Sequence, residues 1–349
     1  MYKIIQESKA KIKVPEEKKV SKKLPVFYNP VMKLNRDISI LLLNSIENKN
    51  MQIALPLAGT GIRGIRFLLE LKKDKIKYIS FNDWNKEAVK IIKQNLKLNK
   101  LKSNKIQIKN QDANLFLLNS TGFDYIDIDP FGTPNPFLDA AVKRLSRKGI
   151  LAVTATDTSS LAGTFPLACL RKYWAKPLRN ETKHENGIRI LIRKVQLIGA
   201  QFNKALIPIF SYSVEHYYRI FFKVEKAKQK TDKLLKNHDY YKEAGPMWLG
   251  SLWASKLINN MIKDCKEESI SKFLKIIKQE SKINAVGFYD IHKFCKKHKL
   301  KIPKKQILIK NIRKAGYKAT ETSFTPEGIR SNISKQALIK VLKTLRAAL

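Results

Sequence analysis

The sequence predicts an α/β fold: a parallel β-sheet finished by an antiparallel pair of strands, followed by a smaller α+β domain. Short apolar runs alternate with amphipathic helical segments between residues 34 and 155, and two further apolar runs follow each other closely around residue 214. Strands separated by helices run parallel through right-handed crossovers, whereas closely spaced strands form antiparallel hairpins. The length of 349 residues is typical of two domains.

Each predicted element rests on its own hydrophobic period. Residues 34–46 place Ile38, Leu41, Leu42 and Ile46 on one face of a helix. The later elements are, in order, strand 51–57, a turn at 59–64 that leads into a helix ending near 71, strand 77–82, helix 85–98, strands 105–109 and 123–128, helix 136–145, strand 149–155, helix 187–202, and strands 205–211 and 217–224.

A lysine-rich segment separates the two predicted domains. Residues 225–241 contain few apolar residues, so we place the boundary near them. The predicted domains are 1–225, which begins with a basic N-terminal arm, and 226–349.

Positive charge is the most unusual feature of the composition. The chain has 69 Lys and Arg residues against 29 Asp and Glu residues, a formal charge of +40 at pH 7. Because this charge is spread along the chain, it indicates a polyanionic partner, and nucleic acid is the expected one.

Other features exclude several classes of protein. The longest apolar run, Ile38–Leu43, is far shorter than the about 20 residues that cross a bilayer. The N-terminal segment is a mixture of Lys and Glu with no apolar segment after it, unlike a secretory signal. Cys169, Cys265 and Cys295 form no CxxC pair, so neither a disulfide framework nor a cysteine metal site is expected. We therefore expect a cytoplasmic protein with no membrane partner.

A glycine-rich turn follows the first predicted strand. Gly59, Gly61 and Gly64 match G-x-G-x-x-G between a strand and a helix. Glycine lets the backbone approach a ligand closely, and in open α/β sheets ligands lie beyond the carboxyl ends of the strands. The pattern predicts a nucleotide site; alternatively, the glycines only close a turn.

Acidic residues follow the next two strands. Asp83 stands where a carboxylate accepts hydrogen bonds from ribose hydroxyls. Asp112 suits an adenine amino group, and Ala113 leaves room for the ring. Each Asp is alternatively a helix N-cap, a role that Asn85 would fill in place of Asp83. These features fit both NAD and S-adenosylmethionine.

The run Asp129-Pro130-Phe131-Gly132 after the fourth strand favours S-adenosylmethionine. Methylation of an exocyclic amino group needs acceptors that hold the amine in its nucleophilic form. The Asp129 carboxylate and a neighbouring carbonyl supply them, and the carboxylate also takes the departing proton. Phe131 offers a face for an extruded base. A dehydrogenase has no use for this cluster, although an ordinary proline turn with a core Phe would also produce it.

Blocks along almost the whole chain match one known family. They are FYNP at 27–30, NRD at 35–37, GIRGIR at 61–66, DPFGTP at 129–134, TATDT at 154–158, RKY at 171–173, HENGIR at 184–189, GPMWLG at 245–250 and GYKA at 316–319. With these blocks the sequence resembles the tRNA (guanine(26)-N2)-dimethyltransferase family, in its archaeal type.

This resemblance implies a Rossmann-like class I methyltransferase sheet, S-adenosylmethionine as cofactor and tRNA as partner. It implies methyl transfer to the exocyclic N2 of guanine 26, giving N2-methyl- and N2,N2-dimethylguanosine. The C-terminal domain would then provide a basic surface for the tRNA body, and we expect a monomer. The predicted cofactor-binding residues are Arg36, Gly59, Gly61, Arg66, Asp83, Asp112 and Ala113.

The predicted catalytic residues are three. Asp129 is the acceptor or base, Phe131 is one stacking wall, and Phe27 is a second wall that folds over the site. Alternatively, Phe27 only packs the N-terminal arm.

The chain departs from the family pattern in two places. Residues 223–244 lack the four-cysteine zinc cluster of many members, so no metal is expected. Residues 320–323 replace a Ser-Arg-Thr-His-like run, and Glu321 in place of Arg weakens any grip on RNA there.

The His184-Glu185 pair does not begin a metalloprotease motif, because position 188 is Ile rather than a second His. We expect His184, Glu185 and Arg189 to form a buried polar network instead.

Other functions stay open on the residues alone. The Asp129 cluster also permits amino-methylation of another RNA guanine or of DNA. A non-catalytic RNA-binding protein with a vestigial nucleotide site would keep the charge, and a dehydrogenase would keep the glycines.

Overall fold

A computed structural model describes residues 2–16, 26–214 and 216–347 of the protein. Internal contacts divide the chain into two compact units that interleave along the sequence. Unit 1 comprises residues 1–157, 195–209 and 216–235, and unit 2 comprises residues 158–194, 210–215 and 236–349. The predicted sequential domains 1–225 and 226–349 stay a prediction.

The strands and helices are as follows. The strands are β1 (Tyr2–Glu7), β2 (Ala10–Pro15), β3 (Met51–Leu55), β4 (Ile76–Asn82), β5 (Ile106–Lys109), β6 (Phe123–Ile128), β7 (Leu145–Ala155), β8 (Lys204–Val214), β9 (Tyr217–Lys226), β10 (His238–Tyr241), β11 (Ala244–Trp248), β12 (Tyr289–Asp290), β13 (Ala319–Glu321) and β14 (Gly328–Ser331). The helices are α1 (Lys33–Ser45), α2 (Ile62–Glu70), α3 (Lys86–Leu98), α4 (Ala113–Leu118), α5 (Asn135–Arg144), α6 (Thr158–Leu161), α7 (Pro166–Tyr173), α8 (Lys183–Ala200), α9 (Lys228–Leu235), α10 (Ser255–Asp264), α11 (Glu268–Glu280), α12 (Ile291–Lys297), α13 (Lys305–Lys314) and α14 (Lys335–Ala347).

Within the described ranges, the main sheet has seven strands in the order β5-β4-β3-β6-β7-β9-β8. Strands β5, β4, β3, β6 and β7 run parallel, whereas β9 runs antiparallel to β7. Helices separate the parallel strands along the chain, as right-handed crossovers require. The predicted parallel sheet with an antiparallel terminal pair is therefore confirmed.

The central strands are buried on both faces. Ile53, Ile79, Ile126 and Leu151 have no exposed surface. Near-continuous apolar runs are typical of such strands because helices cover both faces of a parallel sheet. The strand order places the ends of β3, β4 and β6 along one edge of the sheet, and the candidate site lies there.

The N-terminal arm contains a hairpin that the sequence analysis did not predict. Strands β1 and β2 pair antiparallel, and Ala10, Ile12 and Val14 of β2 are buried. The backbone N–H of Lys13 donates to Asn95 Oδ1 of α3 at 2.7 Å. Alternating lysines gave the segment a basic composition and concealed its period of two. Residues 17–25 of the predicted arm lie outside the described residues.

Unit 2 contains its own antiparallel sheet, in the order β12-β14-β13. Helices α12, α13 and α14 cover it through a core that includes Leu308, Ile312, Ile329 and Leu338. A separate hairpin is formed by β10 and β11. This α+β architecture confirms the fold class predicted for the C-terminal part of the chain.

A network of buried charges lies within unit 2. Glu185 accepts hydrogen bonds from Arg189 at 2.9 Å and from Arg330 at 2.8 Å, and Arg330 also donates to Glu280 at 2.8 Å. Burial tends to raise the pKa of Glu185, but the charges of Arg330 and Arg189 outweigh it and hold that pKa at about 2. The predicted network is confirmed for Glu185 and Arg189; Arg330 and Glu280 were not predicted.

No helix in the described part of the chain is long and apolar enough to cross a membrane.

Candidate active site

A cleft in unit 1 opens at the carboxyl ends of the central strands. It is lined by the segment before α1, the turn from β3 to α2, and the end of β6; the lining residues used below are Phe27, Arg36, Gly59, Thr60, Arg63, Asp127 and Asp129. The order of strands in the sheet brings these separate segments together, as expected of open α/β sheets.

At each of the three glycine positions a larger residue would be unfavourable for steric reasons. Gly59 and Gly61 have positive φ angles of +54° and +79°, which favour glycine. A Cβ at Gly59 would lie 3.0 Å from the Phe27 carbonyl oxygen. A Cβ at Gly64 would lie 2.3 Å from the Phe81 ring, so that glycine lets α2 pack on the sheet. The first two glycines shape the loop, and the third positions the helix behind it.

Asp83 ties the glycine turn to the end of β4. Its Oδ2 accepts from Gly59 N at 2.9 Å and its Oδ1 accepts from Asn85 N at 3.0 Å. Burial raises the pKa of Asp83 against the effect of these two bonds. Asn85 caps α3 by accepting from Glu87 N. Asn85 is therefore the N-cap of α3, which was one of the alternatives open on the sequence, and the Asp83 carboxylate binds the glycine turn instead.

Asp112 does form a helix cap. Its Oδ1 accepts from Asn114 N and Leu115 N at the start of α4, a helix that the sequence analysis did not predict. The cap orients the turn next to Ala113, and the role of both residues near an adenine stays a prediction.

Arg36 and Arg66 share one carboxylate, that of Glu7 in β1. Arg36 donates to its two oxygens at 2.7 and 2.5 Å, and Arg66 donates to Oε1 at 3.0 Å. Arg66 also pairs with Asp37 and Glu70. Burial tends to raise the pKa of Glu7, but its bonds to Arg36 and Arg66 lower it overall. The structure places Arg36 in the cleft wall and Arg66 behind it; Glu7 was missed because its hairpin was missed.

A neutral group of four charges lies below the mouth of the cleft. Arg63 of α2 pairs with Asp129 and lies 3.5 Å from Asp127. Arg219 of β9 donates to both oxygens of Asp127, at 2.8 and 2.7 Å. Tyr125 also donates to Asp127, at 2.5 Å. Burial tends to raise the pKa of Asp127, but the Arg219 and Arg63 charges lower it overall.

Neither arginine of this group was predicted. Arg63 occupies a variable position of the glycine pattern, so the pattern gives no signal for it. Arg219 was detectable in principle, because it is the only charge in the apolar run Tyr217–Phe222, and a buried charge needs a partner.

The two predicted aromatic walls contact each other. The ring centroids of Phe27 and Phe131 are 4.1 Å apart at an interplanar angle of 69°. Phe131 remains 40% exposed. An edge-to-face pair leaves no slot between its rings, so a base can enter between them only if they separate.

The cleft fits a nucleoside cofactor. Thr60 Oγ1 at the glycine turn and Asn114 Oδ1 beside Ala113 are buried without a hydrogen-bond partner among the described residues. Buried polar atoms are normally paired, so these two are candidates for ligand contacts. Arg36, Asp83 and the amides of the turn add a cation, a carboxylate and donors. The described residues hold no cluster of three His, Cys, Asp or Glu side chains that could bind a metal.

Comparison with known families agrees with this geometry. The family described as N2,N2-dimethylguanosine tRNA methyltransferase matches residues 8–244 and 239–343. The chain belongs to this family. The resemblance inferred from the sequence blocks is thereby confirmed.

Individual members of the family match over nearly their full length. The tRNA (guanine(26)-N(2)/guanine(27)-N(2))-dimethyltransferase of Aquifex aeolicus is 40% identical, over 98% of this chain and 96% of the relative. The tRNA (guanine(26)-N(2))-dimethyltransferase of Methanobrevibacter smithii is 39% identical, over 99% of each. The solved structure of Trm1 from Pyrococcus horikoshii with S-adenosyl-L-methionine has a TM-score of 0.89 and 36% identity, and the match covers 97% of this chain and 99% of that one.

Proposed function

We propose that this protein transfers methyl groups from S-adenosylmethionine to N2 of guanine 26 in tRNA, giving N2-methyl- and N2,N2-dimethylguanosine. One observation carries the proposal: Asp129 lies at the mouth of the cleft and is paired with Arg63. The aromatic residue Phe131 follows it two positions later in the chain. The names of the related enzymes support the same substrate.

Asp129 accepts a hydrogen bond from the guanine amino group and then takes its proton. Arg63 donates to its Oδ2, and we assign Oδ1 as the acceptor for the N2–H of guanine. A bound guanine would then keep its amino lone pair directed away from the carboxylate, and the departing proton passes to Asp129. The ion pair with Arg63 fixes the orientation of the Asp129 carboxylate, so that the carboxylate does not need to reorient when the methyl group is transferred.

The rest of the cleft holds the two reactants. S-adenosylmethionine, when bound, supplies an electrophilic methyl group. Arg36, Asp83 and the turn at Gly59 and Gly61 would hold it, and the start of α4 at Ala113 would accommodate its adenine. Phe27 and Phe131 separate, or present an outer face, to stack an extruded base and exclude water.

We further propose that the protein acts as a cytoplasmic monomer, away from membranes, and that residues 226–349 provide a basic surface for the tRNA body. If six to ten phosphates are neutralised, tRNA affinity should fall about a thousandfold or more between 50 and 200 mM salt. A flat salt response would contradict a phosphate-dominated interface.

The test is methyl transfer from labelled S-adenosylmethionine to a tRNA transcript, beside copies with guanine 26 or guanine 27 replaced by adenine. Nucleosides from the digested products are identified by mass. We expect label on N2 of guanine that disappears when guanine 26 is replaced. Label that survives both replacements would show that another guanine is methylated. Label on DNA alone would favour a DNA methyltransferase. Cofactor binding without any label would favour a non-catalytic RNA-binding protein.

The catalytic assignment is tested by Asp129→Ala. We expect it to bind S-adenosylmethionine like the parent and to lose about 100- to 10,000-fold in turnover, the range for a removed general base. Asp139→Asn is the matched control, because Asp139 is an exposed carboxylate of α5 paired only with Lys143 among the ion pairs of the described residues. Turnover of Asp129→Ala at the parent rate would refute the assignment.

A further inference from the structure

Helix α7 of unit 2 exposes an unusual apolar surface. Phe165, Leu167, Leu170 and Trp174 are 60%, 68%, 54% and 47% exposed. Leu167 and Leu170 are three residues apart and share one side of the helix, and Trp174 follows directly after the last helical residue. Contiguous exposed apolar residues on a protein generally mark an interaction site. We call these four residues the α7 surface.

The charge around the α7 surface is entirely positive in sequence. Residues 165–179 contain Arg171, Lys172, Lys176 and Arg179 and no Asp or Glu, and all four basic residues are exposed. Such a segment complements a polyanion that also offers apolar faces. Single-stranded and loop regions of RNA have both properties, because their phosphates are charged and their unpaired bases have flat π-faces.

Trp174 is held in place by two cations of α8. Its backbone has a φ of +55°, a left-handed conformation that is rare for a bulky residue. Its carbonyl accepts from Arg193 at 3.2 Å, and the Lys194 ammonium lies 2.9 Å from the centroid of its ring system. An indole that is clamped at its backbone and on one face, yet 47% exposed, presents its remaining surface in a fixed orientation. Fixed aromatic surfaces bind with little entropic cost.

We propose that the α7 surface binds tRNA, with an unpaired base stacked on Trp174 and backbone phosphates at Arg171 and Lys172. This inference rests on the proposed function, which supplies the tRNA, and it names a contact region within unit 2. Base stacking on aromatic side chains tolerates any base, so the surface would serve different tRNAs alike. It therefore contributes affinity rather than choice of the methylated guanine.

The experiment measures equilibrium binding of a tRNA transcript to the full chain at several salt concentrations. Trp174→Ala and Trp174→Leu are each expected to weaken binding about tenfold, whereas Trp174→Phe stays within about threefold, because only a planar π-face supports stacking. The tryptophan variants should leave the salt slope unchanged. Arg171→Gln should weaken binding and reduce the slope by about one, because it removes one phosphate contact.

Controls separate this proposal from misfolding and from the proposed function. Ile4→Ala removes another exposed apolar side chain, 62% exposed in unit 1, and should bind tRNA like the parent. Affinity for S-adenosylmethionine should be unchanged in every variant. Parent-like tRNA binding by Trp174→Ala, or by Trp174→Leu alone, would overturn the proposal and assign the surface to a protein partner instead. Failure of the parent to methylate guanine 26 would overturn the proposed function, whatever the tryptophan variants bind.

Discussion

Breaking the Asp127–Arg219 pair on one side should destabilise the protein about as much as removing both partners together. Arg63, Arg219, Asp127 and Asp129 form a group with two positive and two negative charges. Arg219→Met leaves one uncompensated negative charge, and Asp127→Asn leaves one uncompensated positive charge. The double variant restores neutrality, with Arg63 and Asp129 still paired.

The structure sets the size of the effect. Arg219 has no exposed surface, and its two terminal nitrogens lie within hydrogen-bond distance of five oxygens: Asp127 Oδ1 and Oδ2, Thr154 Oγ1, Ser39 Oγ and Tyr125 Oη. Removing one partner of a buried pair costs about 3–5 kcal/mol, a large part of a typical unfolding free energy of about 5–15 kcal/mol. We expect each single variant to cost about 4 kcal/mol. The double variant should cost about the same as one single variant rather than about 8 kcal/mol.

The assay is urea unfolding followed by far-ultraviolet circular dichroism at pH 7, with the free energy extrapolated to zero urea. The exposed pair Asp139–Lys143, 2.8 Å apart, is the matched control, and its cycle should give less than about 1 kcal/mol. Additive costs of Asp127→Asn and Arg219→Met would refute the reasoning, because independent sites add and members of one charge group do not.

Three more predictions follow from the same geometry. Gly64→Ala should destabilise the protein by about 1–3 kcal/mol in the same urea assay, because its Cβ would lie 2.3 Å from the Phe81 ring and 2.6 Å from Leu55 Cδ1; an unchanged midpoint would mean that α2 shifts freely. The pKa of Glu185, about 2 against an ordinary 4.5, is lowered by folding, so its stabilisation is present above pH 4.5 and is lost as the pH falls towards 2. The urea midpoint should accordingly fall more steeply below pH 4.5 in the parent than in Glu185→Gln, and parallel curves would contradict the assignment. Glu7→Gln should weaken S-adenosylmethionine binding about tenfold by calorimetry, because Arg36 loses its charged acceptor; unchanged affinity would show that Arg36 is positioned without Glu7.

The local residue pattern was sufficient to predict the parallel strands around the site and the helices α1, α2 and α3, but not the β1–β2 hairpin or α4. Apolar runs such as the one at 123–128 are buried parallel strands in the structure. Because a helix lies between successive strands, only a few sheet topologies are compatible with the sequence. The glycines, Asp83 and Asp129 then had to gather at one sheet edge, because the carboxyl ends of parallel strands share it. The alternative caps were also correctly stated, since Asn85 caps α3 and Asp112 caps α4.

Only the tertiary structure decided which charges meet. Arg36 meets Glu7, Asp127 meets Arg219, and Glu185 meets Arg330, across separations of 29, 92 and 145 residues. The hydrophobic period of a segment predicts on which face of a helix or strand each residue lies. It does not predict which of the many carboxylates a given arginine pairs with. That selection depends on which elements pack together and on how much water they exclude, because desolvation is what makes pairing obligatory. The sequence by itself therefore determined the sheet and the edge where the site lies, and packing determined the pairs that hold Arg36 and Asp129 in place.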